Sequence, residues 1–282
     1  MPRVLITGTS SGFGLVTAIE VAKRGWQVFA TMRNPGKRAA LDAAATAEGV
    51  NHRIDVGQLD VTDPASIQEA VSQTLQRTGG QLDAVVHNAG VAVGAAFEDV
   101  PDAELRRVME TNFFGVLTLT RALLPTFRAQ RRGRIVVVSS NSAYAGEPAN
   151  AIYVASKWAV EGWAESLAYE VGPFGIEIVL IEPGSYRTEI WDSTPRLVPE
   201  NTAYRPLLEP LERAIDEKVM ATARDPREVG VTIANALAAR RPHFRYPVGP
   251  DARLGHFMRG KVPTRVQRFA ITRYLGLHRV VV

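Results

Sequence analysis

Cysteine is missing from this chain. Disulfide bridges and thiolate metal sites are therefore excluded, and the absence suits a reducing compartment. Five histidines are present, His52, His87, His243, His256 and His278. They share no ligand spacing on one helix face, and neither His-Glu-x-x-His nor an acidic cluster occurs, so no metal site is expected. No run approaches the roughly 18 apolar residues that a spanning helix needs. The opening Met1-Pro-Arg-Val-Leu-Ile-Thr-Gly8 has no apolar signal core followed by a small-residue cleavage site. These absences lead to an expectation of a cytoplasmic protein with no membrane span. Composition is otherwise ordinary for a globular chain, 46% hydrophobic and 22% charged over 282 residues, a size that one α/β sheet domain can fill.

Short β-branched runs recur along the chain: Val4-Leu-Ile6, Val28-Phe-Ala30, Ala84-Val-Val86, Ile135-Val-Val-Val138 and Ile176-Glu-Ile-Val-Leu-Ile181. They read as strands buried on both faces. Helical patterns lie between them, at 14–24, 37–47, 64–77, 102–130 and 150–170. Pro64 after Thr62-Asp63 suits the first turn of a capped helix. The alternation predicts a single Rossmann-type domain, a doubly wound parallel sheet with helices on both faces. After Pro183-Gly184 the rhythm changes, and Pro195, Pro199, Pro206 and Pro210 mark an irregular lobe. A helix returns near 226–240 and a last short strand near 245–248. The expected organisation is a domain over 1–250 with a substrate lobe at about 184–225, then a basic extension over 251–282. That extension has seven Lys/Arg and one acid against a chain net charge of +4. A basic tail could meet nucleic acid or an acidic membrane, but a solvated helix face or a subunit contact is the preferred reading, with no nucleic-acid partner.

Five local patterns carry chemistry. Thr-Gly-Thr-Ser-Ser-Gly-Phe-Gly at 7–14 stands where the first strand becomes the first helix. There Gly8, Gly12 and Gly14, with Ser10, Ser11 and Phe13, would let backbone amides and a helix N-terminus meet a diphosphate. The second strand ends in Ala-Thr-Met-Arg-Asn at 30–34. No carboxylate stands there to accept from a ribose 2′-hydroxyl, whereas Arg33 offers a fork of donors to a 2′-phosphate, so NADP(H) is preferred over NAD(H). Asp60 and Val61 follow the third strand, where Asp60 could accept from the adenine amino group. Asn88-Ala89-Gly90 follows the fourth, where small residues let backbone approach the ribose and nicotinamide. Finally, Tyr153 and Lys157 are spaced i, i+4 and share one helix face. An ammonium beside a phenol stabilises phenolate and would lower its pKa.

Together these residues resemble the short-chain dehydrogenase/reductase family, over residues 3 to about 250. The resemblance rests on Thr-Gly-x-x-x-Gly-x-Gly at 7–14, Asn-Ala-Gly at 88–90, Tyr-x-x-x-Lys at 153–157 and Pro183-Gly184. It implies a catalytic serine at Ser140, thirteen residues before the tyrosine, a catalytic Asn112, and a nicotinamide contact at Thr188. By that resemblance Tyr153 exchanges the proton, Ser140 binds the substrate oxygen, Lys157 holds the ribose, and Asn112 positions a relay water. It also implies a homodimer or homotetramer paired through the long helices bearing Asn112 and Tyr153.

The expected activity is NADP(H)-dependent hydride transfer between the nicotinamide and a carbonyl or secondary alcohol. Tyr186 and Trp191 are expected to line the substrate pocket, which suits a bulky apolar molecule. The local likeness of residues 30–33 to the 17β-hydroxysteroid and retinol dehydrogenase branch points to a steroid- or retinoid-like one. A non-catalytic NADP-binding sensor is the alternative from another class. Retention of Ser140, Tyr153 and Lys157 together argues against it.

Overall fold

The computed structural model describes residues 1–190 and 194–280. Seven strands form one parallel sheet: β1 (Arg3–Thr7), β2 (Gln27–Met32), β3 (Ile54–Gln58), β4 (Ala84–His87), β5 (Gly133–Val138), β6 (Ile176–Pro183) and β7 (Arg245–Val248). Their order in the sheet is β3-β2-β1-β4-β5-β6-β7. The order reverses between β1 and β4, and the crevice beyond the carboxyl ends of those two strands is where such sheets take ligands. The expected doubly wound Rossmann architecture is what the chain adopts.

Alternation along each strand divides the core in two. Val4 and Ile6 of β1 face a layer with Ala18 and Val21 of α1 (Gly12–Lys23) and with Val229 and Ile233 of α8 (Arg227–Ala238). Leu5 faces the opposite layer, with Leu119 and Leu123 of α5 (Gly115–Gln130) and with Val160 and Ala164 of α6 (Ala151–Val171). Both sides of a central strand are therefore dry, and each large aliphatic side chain so buried contributes about 1.5–3 kcal/mol. The edge strand β3 is only half-buried. That is why its sequence, Ile-Asp-Val-Gly-Gln, lacks the continuous apolar run of the inner strands.

The helix α3 (Pro64–Arg77) has the bounds its sequence suggests, with Asp63 accepting from the Ala65 amide at 2.9 Å as its cap. The long pattern at 102–130 is not one regular helix. It runs as α4 (Asp102–Met109), a π turn at Glu110–Phe114, and α5. Among the remaining helices, α2 spans Ala39–Ala47 and α7 spans Arg205–Ala214 in the lobe. Two more follow β7, α9 (Pro250–Met258) and α10 (Thr264–Tyr274). Among the described residues, no helix is long and apolar enough to cross a membrane.

Candidate active site

The glycine loop joins β1 to α1, and its three glycines answer to different demands. Gly8 and Gly12 have φ of +70° and +54°, a region L side chains rarely enter. Gly14 is needed for a close approach instead, because a Cβ there would fall on the Gly8 carbonyl and the Asn88 amide. Ser11, the cap residue of α1, makes no side-chain cap hydrogen bond. The first amides of the helix are left for an anion, which suits a diphosphate.

Asn88 braces this loop from β4, donating from Nδ2 to the Thr7 and Gly8 carbonyls at 2.9 and 3.0 Å. The Asn88 and Ala89 amides both donate to Thr7 Oγ1 at 3.0 Å, so Thr7 ties the two strand ends together. Asp60 is engaged by its own loop, accepting from the Thr62 amide at 2.9 Å and the Thr62 hydroxyl at 2.7 Å. Val61 lies against the start of α5, where a Cβ on Gly115 would clash with it. Arg33 is exposed at the end of β2 and makes no hydrogen bond or ion pair among the described residues. Pro183 closes β6, and the loop beyond it lies over the glycine turn. A Cβ on Gly12 would touch Thr188 and come within 3.4 Å of Glu189 Oε2.

Ser140, Tyr153 and Lys157 meet beyond the end of β5. Ser140 continues that strand in extended conformation and accepts from the Ser142 amide at 3.1 Å. Lys157 is buried, 6% exposed, and its Nζ donates to the Val138 carbonyl at 3.0 Å while lying 5.5 Å from the centre of the Tyr153 ring. The expected lowering of the phenol does not occur among the protein's own groups. Burial pushes Tyr153 up to about 12, only partly opposed by its hydrogen bond with Ser140. Burial likewise pulls Lys157 down to about 8. The physical reason is that both charged forms lose water together, while the ammonium donates to a backbone carbonyl.

Asn112 sits within the π turn, where the extra residue re-aims the side chain inward. Its Oδ1 accepts from the Val91 amide at 2.9 Å, and its Nδ2 donates to the Val91 carbonyl at 2.8 Å and to Ser156 Oγ at 3.0 Å. Ser156 in turn donates to the Tyr153 carbonyl at 2.7 Å. Asn112 thus links the loop after β4 to α6, a long-range brace rather than a bond to local backbone.

The expected substrate residues fare differently. Tyr186 does not line a pocket. It is 1% exposed, stacks edge-on against Phe13 with centroids 5.6 Å apart, and donates to Glu228 at 2.9 Å. A phenol with a carboxylate partner can be buried whole, so this aromatic became core. Trp191 lies outside the described residues.

Several residues of the site carried no signal in the sequence. Glu147 accepts from Ser142 Oγ at 3.0 Å and from Asn150 at 2.9 Å, and burial raises its pKa. Asp251 reaches back from α9 and accepts from the Ser185 amide at 2.8 Å and its hydroxyl at 3.0 Å. That seat explains Gly184, because a Cβ there would fall on the Asp251 carboxylate. Residues from 251 onward thus begin in contact with the segment that follows β6. One turn beyond Lys157, Glu161 faces Glu182 of β6, the two being 2% and 0% exposed. Arg245 bridges them, at 2.8 Å to Glu161 and 3.0 Å to Glu182, and Tyr144 donates to Glu182 at 2.6 Å. Burial and the neighbouring Glu161 charge hold Glu182 well above the usual carboxylate range. His87 closes β4 and is buried against Thr120 at 2.9 Å, with burial pulling it down to about 3.

The chain as a whole is similar to known oxidoreductases. A family model described as short chain dehydrogenase matches residues 2–196. The chain is 40% identical over 267 residues to an uncharacterized oxidoreductase, YusZ, of Bacillus subtilis, covering 92% of this chain and 93% of that protein. It is 36% identical to the 3-ketodihydrosphingosine reductase of Bacteroides thetaiotaomicron, over 88% and 87% of the two chains. It is 38% identical to retinol dehydrogenase 8 of Homo sapiens, over 86% and 80%. Among solved structures, a short-chain dehydrogenase from Streptomyces avermitilis superimposes with a TM-score of 0.77 at 32% identity, covering 99% and 97%. Two others share the fold at lower identity. One, from Burkholderia phymatum in complex with NAD, has a TM-score of 0.75 at 24% identity over 86% and 88%. The other, a metagenomic oxidoreductase in complex with NADP, has a TM-score of 0.69 at 22% identity over 87% and 95%.

Proposed function

The chain belongs to the short-chain dehydrogenase family, and from that premise we propose that it is an NADP(H)-dependent reductase or dehydrogenase acting on a long apolar ketone or secondary alcohol. The observation that carries this reading is the meeting of Ser140, Tyr153 and Lys157 beyond the end of β5, two strands across from the glycine loop. When bound, the nicotinamide supplies or accepts the hydride. Gly8, Gly12 and the amides opening α1 would hold the diphosphate, which requires the Glu189 carboxylate to move off the glycine turn. Arg33 would take the 2′-phosphate, and its exposure at the end of β2 together with the lack of an acid there supports NADP over NAD. Thr188 would contact the carboxamide.

The protein's own part is the proton and the oxygen. Tyr153 stands protonated near neutral pH, so it donates to the developing alkoxide in reduction and takes the proton back in oxidation. Ser140 turns its hydroxyl to the substrate oxygen and shares its charge. Lys157 holds the ribose hydroxyls and stabilises the phenolate left after donation. Asn112, beyond its brace to Val91, would align a water leading to Lys157.

The names of two relatives, a retinol dehydrogenase and a ketodihydrosphingosine reductase, support an amphiphilic lipid as substrate. Exposed Phe114, Trp158 and Tyr169 on the long helices support pairing of subunits through them. The test is a panel of long-chain ketones, retinoids and steroids offered with NADPH or NADH while reduced-cofactor absorbance is followed. Oxidation of NADPH by an apolar ketone is the expected result. Tight NADPH binding without turnover of any carbonyl or alcohol would favour a sensor instead.

A further inference from the structure

The two helices that follow β7 bury little of what they carry. On α9, Ala252 is buried and His256 half-buried, while Leu254 and Phe257 are 59% and 67% exposed. On α10, Gln267 and Ile271 are half-buried at i, i+4, as is Leu275 just past its end, and Gln267 anchors the helix by donating to the Tyr144 carbonyl at 3.3 Å. The outward side of α10 presents Val266, Phe269 and Tyr274. Of the twelve exposed large hydrophobic side chains among the described residues, six fall between Leu254 and Tyr274. A concentration of that kind marks a surface that meets something apolar.

The charges around it say what. Arg253, Arg265, Arg268 and Arg273 are exposed on the same two helices, Arg259 and Lys261 on the turn between them, Arg259 also reaching Glu161 at 3.2 Å, and Asp251 is the one acid from 251 onward. Cations stand directly among the apolar side chains, with Lys261 Nζ 3.9 Å from the Phe257 ring centre. Aromatic and aliphatic groups rimmed by Lys and Arg are the composition of an interfacial helix, whose apolar side enters the headgroup boundary while its cations meet anionic lipid. A second copy of this chain fits poorly here, because a two-fold contact would set the basic face against itself. Duplex nucleic acid would neutralise the cations but leave Leu254, Val266 and Phe269 in water.

We propose that α9 and α10 form a docking surface for a membrane that carries anionic lipids. The surface sits at the rim of the candidate active site, because α9 starts at the carboxyl end of β7 and its Asp251 holds Ser185 of the substrate loop. If the substrate is an amphiphilic lipid, as read above, docking places the mouth of the site at its source. The docking itself does not depend on that reading.

The experiment is co-sedimentation of the full chain, without substrate or cofactor, with phosphatidylcholine vesicles and with vesicles that include phosphatidylglycerol. Binding to the anionic vesicles is expected, weakened about tenfold or more by molar salt, which shortens the Debye length to about 3 Å. Phe257→Ser with Phe269→Ser, and separately Arg265→Gln with Arg268→Gln, should each weaken it several-fold while circular dichroism and turnover of a water-soluble carbonyl stay unchanged. Equal binding to both vesicles, or none to either, overturns the proposal. So does a concentration-dependent dimer, or a DNA mobility shift, that these variants abolish in a chain that ignores vesicles. Because vesicle binding is read without catalysis, its failure is separate from failure of the catalytic reading.

Discussion

Lys157 Nζ lies 5.5 Å from the centre of the Tyr153 ring and donates at 3.0 Å to the Val138 carbonyl at the end of β5. One helix turn thus delivers both a proton donor and a cation to the edge of the glycine crevice. Tyr153→Phe keeps the ring and removes only the exchangeable proton. It should lower kcat by roughly 10²–10⁴-fold while NADPH affinity changes little, measured by steady-state kinetics and by cofactor fluorescence titration. Undiminished turnover would remove Tyr153 from the chemistry.

Lys157 also makes stability depend on pH in a direction opposite to that of a paired lysine. Its folded value of about 8 lies below the unfolded 10.5, so between them the unfolded chain holds a proton that the folded one has released. Stability contributed by this group therefore rises with pH across that window, by an amount on the order of 3 kcal/mol if fully expressed. Lys157→Met removes the dependence. The melting temperature of the variant relative to the parent should be highest near pH 7 and fall steadily toward pH 9.5. A constant difference across that range would show that burial does not depress the ammonium.

Arg33 stands exposed where β2 ends, with no acid beside it in the run at 30–34. Arg33→Asp should weaken NADP binding about 10–100-fold by removing a charge-assisted contact to phosphate, and should tighten NAD binding by offering the ribose a carboxylate. Isothermal titration with both cofactors checks this. Tighter NAD than NADP binding in the unaltered chain would refute the preference.

Arg245 is the cation shared by two buried carboxylates, Glu161 and Glu182. Arg245→Met leaves Glu161 with only Arg259, at 3.2 Å, and Glu182 with Tyr144 and His256, and should cost on the order of 3 kcal/mol at pH 8, seen in denaturant unfolding. Glu182 is raised above its unfolded value, so at pH 5 it is already protonated in the folded chain and the loss should be smaller. Adding Glu182→Gln should recover part of the stability at pH 8. Equal losses at pH 5 and pH 8 would contradict the raised carboxyl.

Much of this architecture could be read from neighbouring residues. Apolar runs at 4–6, 84–86 and 135–138 marked inner strands because a strand dry on both faces must be apolar throughout. The edge strand β3, half wet, escaped that test. The helix start at Asp63-Pro64 was legible because capping is chemistry between residues two apart. The break of the 102–130 helix at Asn112 was not, because an apolar period of 3.6 continues on either side of a π turn.

What the chain order alone determines, then, is what short spacings enforce. A strand, glycine turn and helix N-terminus leave amides open to an anion, and Tyr153 and Lys157 share a face whatever surrounds them. Tertiary structure decided the rest, because burial and partnership depend on residues far apart along the chain. It buried Tyr186 against Phe13 and Glu228 and seated Asp251 under Gly184. It also closed Arg245 over a carboxylate pair that includes Glu161, 84 positions away. It set the protonation of the site as well: Tyr153 and Lys157 are each pushed toward their neutral forms because the same fold that brings them together takes their water away.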